Sequence, residues 1–300
     1  MKYKSIIIIF ITVVVLSLII KEIVVYFINI WHILTFSVGK KMFKSINKDF
    51  IIDNNILSMP IYYINLERSQ KRKKEIEKNF QQHGIKNYQR IKAFDGKDIK
   101  NLKSGEIDGT KYINKSDFFY IGPHELAITL SHIKAIKKSY DNGDNLSIIL
   151  EDDANFSTYP LWKDSFNKIL ESMPKDTEIL QLTSNNLNIE NFELKIKKRP
   201  NDTSSYGCAG AYLMTKKGME KIINNFFLED GTVIFKENLK NPVIDYGVFN
   251  FMNIYYVKCN LFLLHSFSEE KNTYEAINSV RFIVKDYKTL KYLVSKNRTF

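Results

Sequence analysis

The chain has 300 residues, 44% of them hydrophobic, which gives ample material for a core and excludes a disordered chain. Its formal net charge of +11 is nearly all lysine, with arginine only at Arg68, Arg72, Arg90, Arg199, Arg281 and Arg298; no basic stripe interleaves with aromatics, so nucleic acid is not an expected partner, and the lysines read as solvated faces of a Lys-, Asn- and Ile-rich chain whose mild positive field still helps attract an anionic substrate or a membrane surface. Two cysteines, Cys208 and Cys259, without a CxxC exclude a disulfide framework and a zinc site of the usual spacing.

Residues 1–38 read as a membrane anchor. Ser5 to Ile20 carries no charge, and as a helix it spans about 24 Å, a little less than a hydrocarbon core of roughly 30 Å. Lys21 and Glu22 interrupt, and a second apolar run continues to Val38. That run either extends the helix, with the lysine stem snorkelling, or lies in the interface, where Tyr26 and Trp31 suit it. The first alanine of the chain is Ala93, so an A-x-A cleavage site is missing and an uncleaved single-pass anchor is expected. Lysines flank both ends, leaving the side of the membrane open. Residues 39–57 read as a stem.

From Pro60 the pattern changes. IYYINL (61–66) is a strand, followed by a charged helix over 67–84 with Ile76 and Phe80 at helical spacing and Gly84 at its end. YQRIKAF (88–94) is a second strand, closed by an Asp95-Gly96 turn. Residues 125–144 form a helix whose apolar positions Leu126, Ile128, Leu130, Ile133 and Ile136 include i, i+3 steps, stopped by Asn142-Gly143. LSIIL (146–150) is a third strand, 162–174 a helix and TEILQL (177–182) a fourth strand. Residues 184–205 are asparagine-rich and irregular. CAGAYLMT (208–215) is strand-like and 216–227 helical. Alternating strands and helices imply an α/β domain with a mainly parallel, Rossmann-like sheet flanked by helices. In such sheets ligands bind beyond the carboxyl ends of the strands.

Glu151, Asp152 and Asp153 follow directly on the third strand. Three adjacent carboxylates at that position repel one another. In extended backbone Glu151 and Asp153 share one face and Asp152 opposes them. Two converging carboxylates without a His/Cys cluster suit Mg²⁺ or Mn²⁺, ions that keep open positions for substrate phosphates. The bland alternative is a solvated turn or a helix N-terminus that favours acids.

Several spaced motifs then coincide. Asn65-Leu66-Glu67-Arg68-Ser69 with Arg72 follows the first strand, and Ala93-Phe94-Asp95-Gly96 closes the second. Glu125, Leu130, Ser131 and His132 lie in HELAITLSH, Ile149 to Asp153 form I-L-E-D-D, and Gly207 and Gly210-Ala211-Tyr212 precede the last helix. In this order and spacing they resemble glycosyltransferase family 25, which includes bacterial lipooligosaccharide and collagen galactosyltransferases. His124 and Ile128 replace a Gly and a Cys of the family pattern. The resemblance runs from about 58 to 270, taken as the catalytic domain, and leaves 271–300 as a tail.

The resemblance implies a GT-A fold. It also implies a metal-dependent transfer of galactose or glucose from a UDP-sugar to a glycan or glycoprotein acceptor. Asp153 and Glu151 are then expected metal ligands for Mn²⁺ or Mg²⁺, with Asp152 on ribose or sugar hydroxyls or exchanging roles with Asp153. Arg68 and Arg72 face the uridine or phosphates, where a guanidinium fork matches phosphate oxygens; both also fit a solvated helix face. Asp95 accepts from the uracil or ribose, or simply forms the turn. His132 is expected near the donor. Ser131 and His132 are helical neighbours that face different ways, which excludes a Ser-His-Asp hydrolase built on them. Asp245, an acid in the apolar stretch NPVIDYGVF, is the candidate base for the acceptor hydroxyl, or a helix N-cap. His265, in LFLLHSF, is either a late metal ligand or a core histidine. Two other functions use the same residues: a metal-dependent phosphoesterase, and a non-catalytic binding protein on a glycosyltransferase scaffold.

Overall fold

The computed structural model describes residues 58–116, 121–155, 163–183, 196–200, 208–239, 241–257 and 262–264. The expected anchor, stem and tail lie outside the described residues, as do His265 and Cys259. Among the described residues no helix is long and apolar enough to cross a membrane.

Twelve strands and four α-helices make up the described chain. β1 (Ile61–Asn65), α1 (Gln70–Gln82), β2 (Tyr88–Lys92), β3 (Ser104–Ile107), β4 (Thr110–Asn114), α2 (Pro123–Asp141), β5 (Leu146–Glu151) and β6 (Ala154–Asn155) come first. α3 (Lys163–Glu171), β7 (Ile179–Gln181), β8 (Ile196–Lys198), β9 (Ala211–Thr215), α4 (Lys216–Phe226), β10 (Val233–Phe235), β11 (Ile254–Val257) and β12 (Leu263–Leu264) follow. A π-turn over Ile244–Val248 precedes β11.

The main sheet has the order β2-β1-β5-β9-β7-β11-β8. β2, β1 and β5 pair in parallel, as do β7 and β11, whereas β9 runs antiparallel to both β5 and β7 and β8 antiparallel to β11. The mainly parallel expectation therefore becomes a mixed sheet in which two of seven strands are reversed. β9 is apolar on both faces, and such a strand reads alike in either direction. A separate sheet, β10-β4-β3, caps one side. Its β3–β4 hairpin turns through Asp108 (φ 50°) and Gly109 (φ 76°), two positive-φ positions that an Asp-Gly pair supplies.

Strand alternation divides the core into two layers. Ile61, Tyr63, Ile148, Leu150, Ala211 and Leu213 pack with Ile76 and Phe80 of α1 and Phe166 and Ile169 of α3. Tyr62, Ile64, Ile149, Tyr212 and Met214 pack with Leu126, Leu130 and Ile133 of α2 and Met219, Ile222 and Phe226 of α4. A helix on each face of the central strands hides both sides of the sheet, which is why β1, β5 and β9 carry runs of large apolar residues. α2 is fixed at its far end by a polar lattice. Asp144 accepts from Tyr62 (2.6 Å) and Ser139 (2.9 Å), Asn142 donates to Tyr62 (2.7 Å), and Ser139 bonds Ser147 of β5 (2.8 Å). This ties the stop of α2 to the start of β5, so the opposite end of β5 meets the middle of α2 in a set register.

Candidate functional site

β5 ends at Glu151, and the chain turns at Asp152 and Asp153 before β6. The strand alternation continues just far enough to split the acids. Glu151 lies on the α2 side, where its Oε1 is 3.2 Å from Nε2 of His132. Asp152 lies on the α1 side, where Oδ1 accepts from Arg72 Nη1 and Oδ2 from Asn65 Nδ2, both at 2.7 Å. Burial lifts the Asp152 carboxyl above the ordinary carboxylate range, against the pull of Arg72. Its two oxygens are thus engaged by the first strand and helix.

Asp153 has no such partners. Its Oδ1 is buried and unbonded among the described residues. Burial, then the charges of Glu151 and Asp152, push its carboxyl up to about 8. An acid this unfavourably placed is a cation-seeking group.

His132 is 1% exposed and connects two motifs that lie far apart in sequence. A carboxylate only accepts, so Nε2 donates to Glu151; Nδ1, 3.1 Å from the Tyr212 hydroxyl, accepts from it. Burial, with the charges of Glu151 and Asp245, holds the Tyr212 phenol well above its usual range, so it keeps the proton it donates. Ser131, the neighbour of His132, serves the scaffold: its Oγ accepts from the Phe94 backbone N–H (2.9 Å) and donates to the Ala127 carbonyl (2.6 Å). That bond fixes the loop after β2, where Asp95 accepts from the Lys97 N–H at 3.0 Å and pairs with Arg68. Asp95 thus caps a short 3-10 turn as well as facing Arg68.

These parts surround one cleft of about 220 Å³. Arg68, Arg72, Asp95, His132, Glu151 and Asp152 all line it, six of the nine expected site residues, with Leu66 and Phe94 as apolar walls. His124 and Ile128, the two departures from the family pattern, line it as well, and Ile128 is 48% exposed there. Neither Asp153 nor Asp245 is in its lining; Asp153 lies one residue beyond it in the turn after β5, and Asp245 sits in the π-turn, where burial and the charge of Glu151 raise its carboxyl to about 7, opposed by His132 and Arg199. No helix begins at Asp245 in a way that would make it an N-cap: Val243 precedes the turn.

A family model described as glycosyltransferase family 25 (LPS biosynthesis protein) matches residues 58–229, more than half of the chain. The chain belongs to glycosyltransferase family 25. It is accordingly a glycosyltransferase, with a sugar donor and a glycan acceptor in general terms. No curated protein matches the chain. The family-25 motifs are the parts that meet in space: N-L-x-R-S at the end of β1, A-x-D-G after β2, L-S-H on α2, E-D-D after β5 and the Tyr of β9.

Whether a divalent ion fits depends on the acids. Among the described residues no group of three or more His, Cys, Asp or Glu is arranged to hold one. Two carboxyls remain available, Glu151 with one oxygen on His132 and Asp153 with an idle Oδ1. A hard dication shared with a diphosphate needs few protein ligands, and two carboxylates are donors of the kind it takes.

Arg199 is absent from the expectations. Arg199 is 6% exposed and donates through Nη2 to the Asp245 carbonyl at 2.8 Å. A single arginine after two lysines looks like solvated charge, and nothing in the sequence distinguishes it.

Proposed function

We propose that the chain transfers a hexose, galactose or glucose, from a UDP-sugar to a glycan acceptor, with a GT-A-type site at the carboxyl end of β5. The observation that carries this reading is the buried, unbonded Oδ1 of Asp153, which directly follows Glu151 and Asp152, two acids that line a cleft together with Arg68 and Arg72. Glu151 and Asp153 would hold Mn²⁺ or Mg²⁺, and when bound such an ion neutralises charge gathering on the departing diphosphate. Arg68 and Arg72 supply further positive charge on the same side, and Asp95 offers an acceptor for the nucleoside. His132 keeps Glu151 oriented, with Tyr212 setting which ring nitrogen carries the proton.

Asp245 is the base. It takes the acceptor O–H proton as that oxygen bonds to the anomeric carbon, and the bond from that carbon to the diphosphate oxygen breaks, its electron pair leaving with UDP. A carboxyl raised to about 7 is a better proton acceptor than an ordinary one at neutral pH, which suits this role. The acceptor fits the lipopolysaccharide chemistry of the family description, and the apolar segment 1–38 would hold the enzyme at a membrane. A two-metal phosphoesterase needs more ligands than the described residues bring together.

A thermal-shift screen of the full chain against nucleotide sugars, with and without Mn²⁺, tests the donor. UDP-hexoses should raise the melting temperature only when Mn²⁺ is present. A purine nucleotide sugar giving the larger shift, or a shift indifferent to the ion, contradicts the reading.

A further inference from the structure

Arg199 is buried just after β8, with its backbone N–H on the Ile254 carbonyl at 2.9 Å. Its Nη2 holds the Asp245 carbonyl, yet among the described residues Nε and Nη1 are buried without partners. The Asp245 Oδ1 is likewise buried and unbonded. Idle donors on a buried guanidinium are costly. The charge of Asp245 is the largest compensation it has. An arginine kept only for stability would close its fork on that carboxylate. This one grips the main chain and leaves the carboxylate open.

The turn it grips is held from several sides. Thr129 of α2 accepts from the Ile244 N–H at 3.1 Å, Asn241 from the Val243 N–H at 2.9 Å, and the Val243 carbonyl from Gly247 (2.8 Å) and Val248 (3.2 Å). π-turns of this kind occur often at functional sites. We propose that Arg199 is a positioning residue for the Asp245 base: it fixes the turn through the carbonyl and presents its charge to the carboxylate without capping it. The proposal rests on Asp245 being the base. The titratable and charged groups whose fields act on Asp245 are Glu151 of β5, His132 of α2 and Arg199, and the charge of Asp245 in turn acts on Tyr212 of β9.

The test uses the detergent-solubilised full chain with a UDP-hexose and Mn²⁺, comparing Arg199→Gln, which keeps a donor and loses the charge, with Arg199→Lys, which keeps the charge. Arg199→Gln should lower kcat about tenfold or more with the donor KM unchanged, and move the acid limb of the kcat profile up by roughly one pH unit. Arg199→Lys should leave the limb at its parental position. A limb unmoved in Arg199→Gln, or moved equally in both variants, overturns the proposal and leaves Arg199 a structural residue. If Arg199→Gln does not fold, the limb of Arg199→Lys decides alone: unmoved supports the proposal, raised overturns it. ¹³C-carboxyl NMR, with the Asp245 signal identified by its loss in Asp245→Asn, makes the same comparison without turnover. Parental turnover in Asp245→Asn would instead sink the base assignment. Lost turnover there beside an unshifted Arg199→Gln sinks only the role of Arg199.

Discussion

At the scale of single residues, the three adjacent acids have three different surroundings, although the sequence presents them as one triplet. Asp152 belongs to Arg72 and Asn65 and Glu151 to His132, whereas Asp153 keeps one buried oxygen, Oδ1, that no described residue bonds. The third case has a thermodynamic signature. A carboxyl at about 8 in the folded chain and near 4 when unfolded binds its proton more tightly when folded. Its contribution is therefore favourable below the unfolded value and is lost as pH rises from about 4 to about 8. Asp245, raised to about 7, acts in the same direction over a narrower window. The metal-free protein should melt at progressively lower temperature across that range. Asp153→Asn should flatten the decline and melt higher than the parent at pH 8, by about 2–4 °C for each kcal/mol recovered. Thermal melts in chelator at several pH values check this; a parent more stable at pH 8 than at pH 6 would contradict it.

At the scale of elements, the site depends on where turns are pinned. Gly247 lies in the π-turn so close to Asn241 that an added Cβ would fall 1.3 Å from the Asn241 carbonyl oxygen. No relaxation of a side chain can clear a backbone atom. Gly247→Ala should cost about 2–3 kcal/mol, lowering the melting temperature by roughly 4–12 °C. It should also reduce turnover, because Asp245 rides on the displaced turn. Unchanged melting and activity together would show that the turn is not held as described. The elements also differ in how legible they are. β1, β5 and α2 stand out in the sequence because burial on both faces, or on one helical stripe, leaves a strong apolar pattern. β3 and β8 are short and mostly exposed, with two lysines among the three residues of β8, so the pattern that marks a strand is absent. The β3–β4 hairpin had a usable sign, the Asp108-Gly109 pair, which only its positive-φ geometry makes obvious.

At the scale of the whole molecule, the sequence makes the layers legible and conceals the order of the strands. Alternation predicts that Tyr62 and Tyr63 part to opposite faces, as they do. It does not predict that β9 inserts, reversed, between β5 and β7. That insertion matters for the site, because it brings Tyr212 of β9 to His132 of α2, and so to Glu151, across 80 residues of chain. The acids at the strand end were readable because like charges beside an apolar run are costly unless something completes them. The partners that sort those acids came from β1, α1 and α2, and only the fold reveals them. On the proposed function, Asp153 and Glu151 complete a nucleotide-sugar site. The most direct measurement is UDP release from UDP-galactose and UDP-glucose by the full chain, with Mn²⁺ and with chelator, for the parent and Asp153→Ala. Release that requires Mn²⁺ in the parent and falls on the order of 100-fold or more in Asp153→Ala is the predicted result; equal release by the two proteins, or release unaffected by chelator, would contradict it.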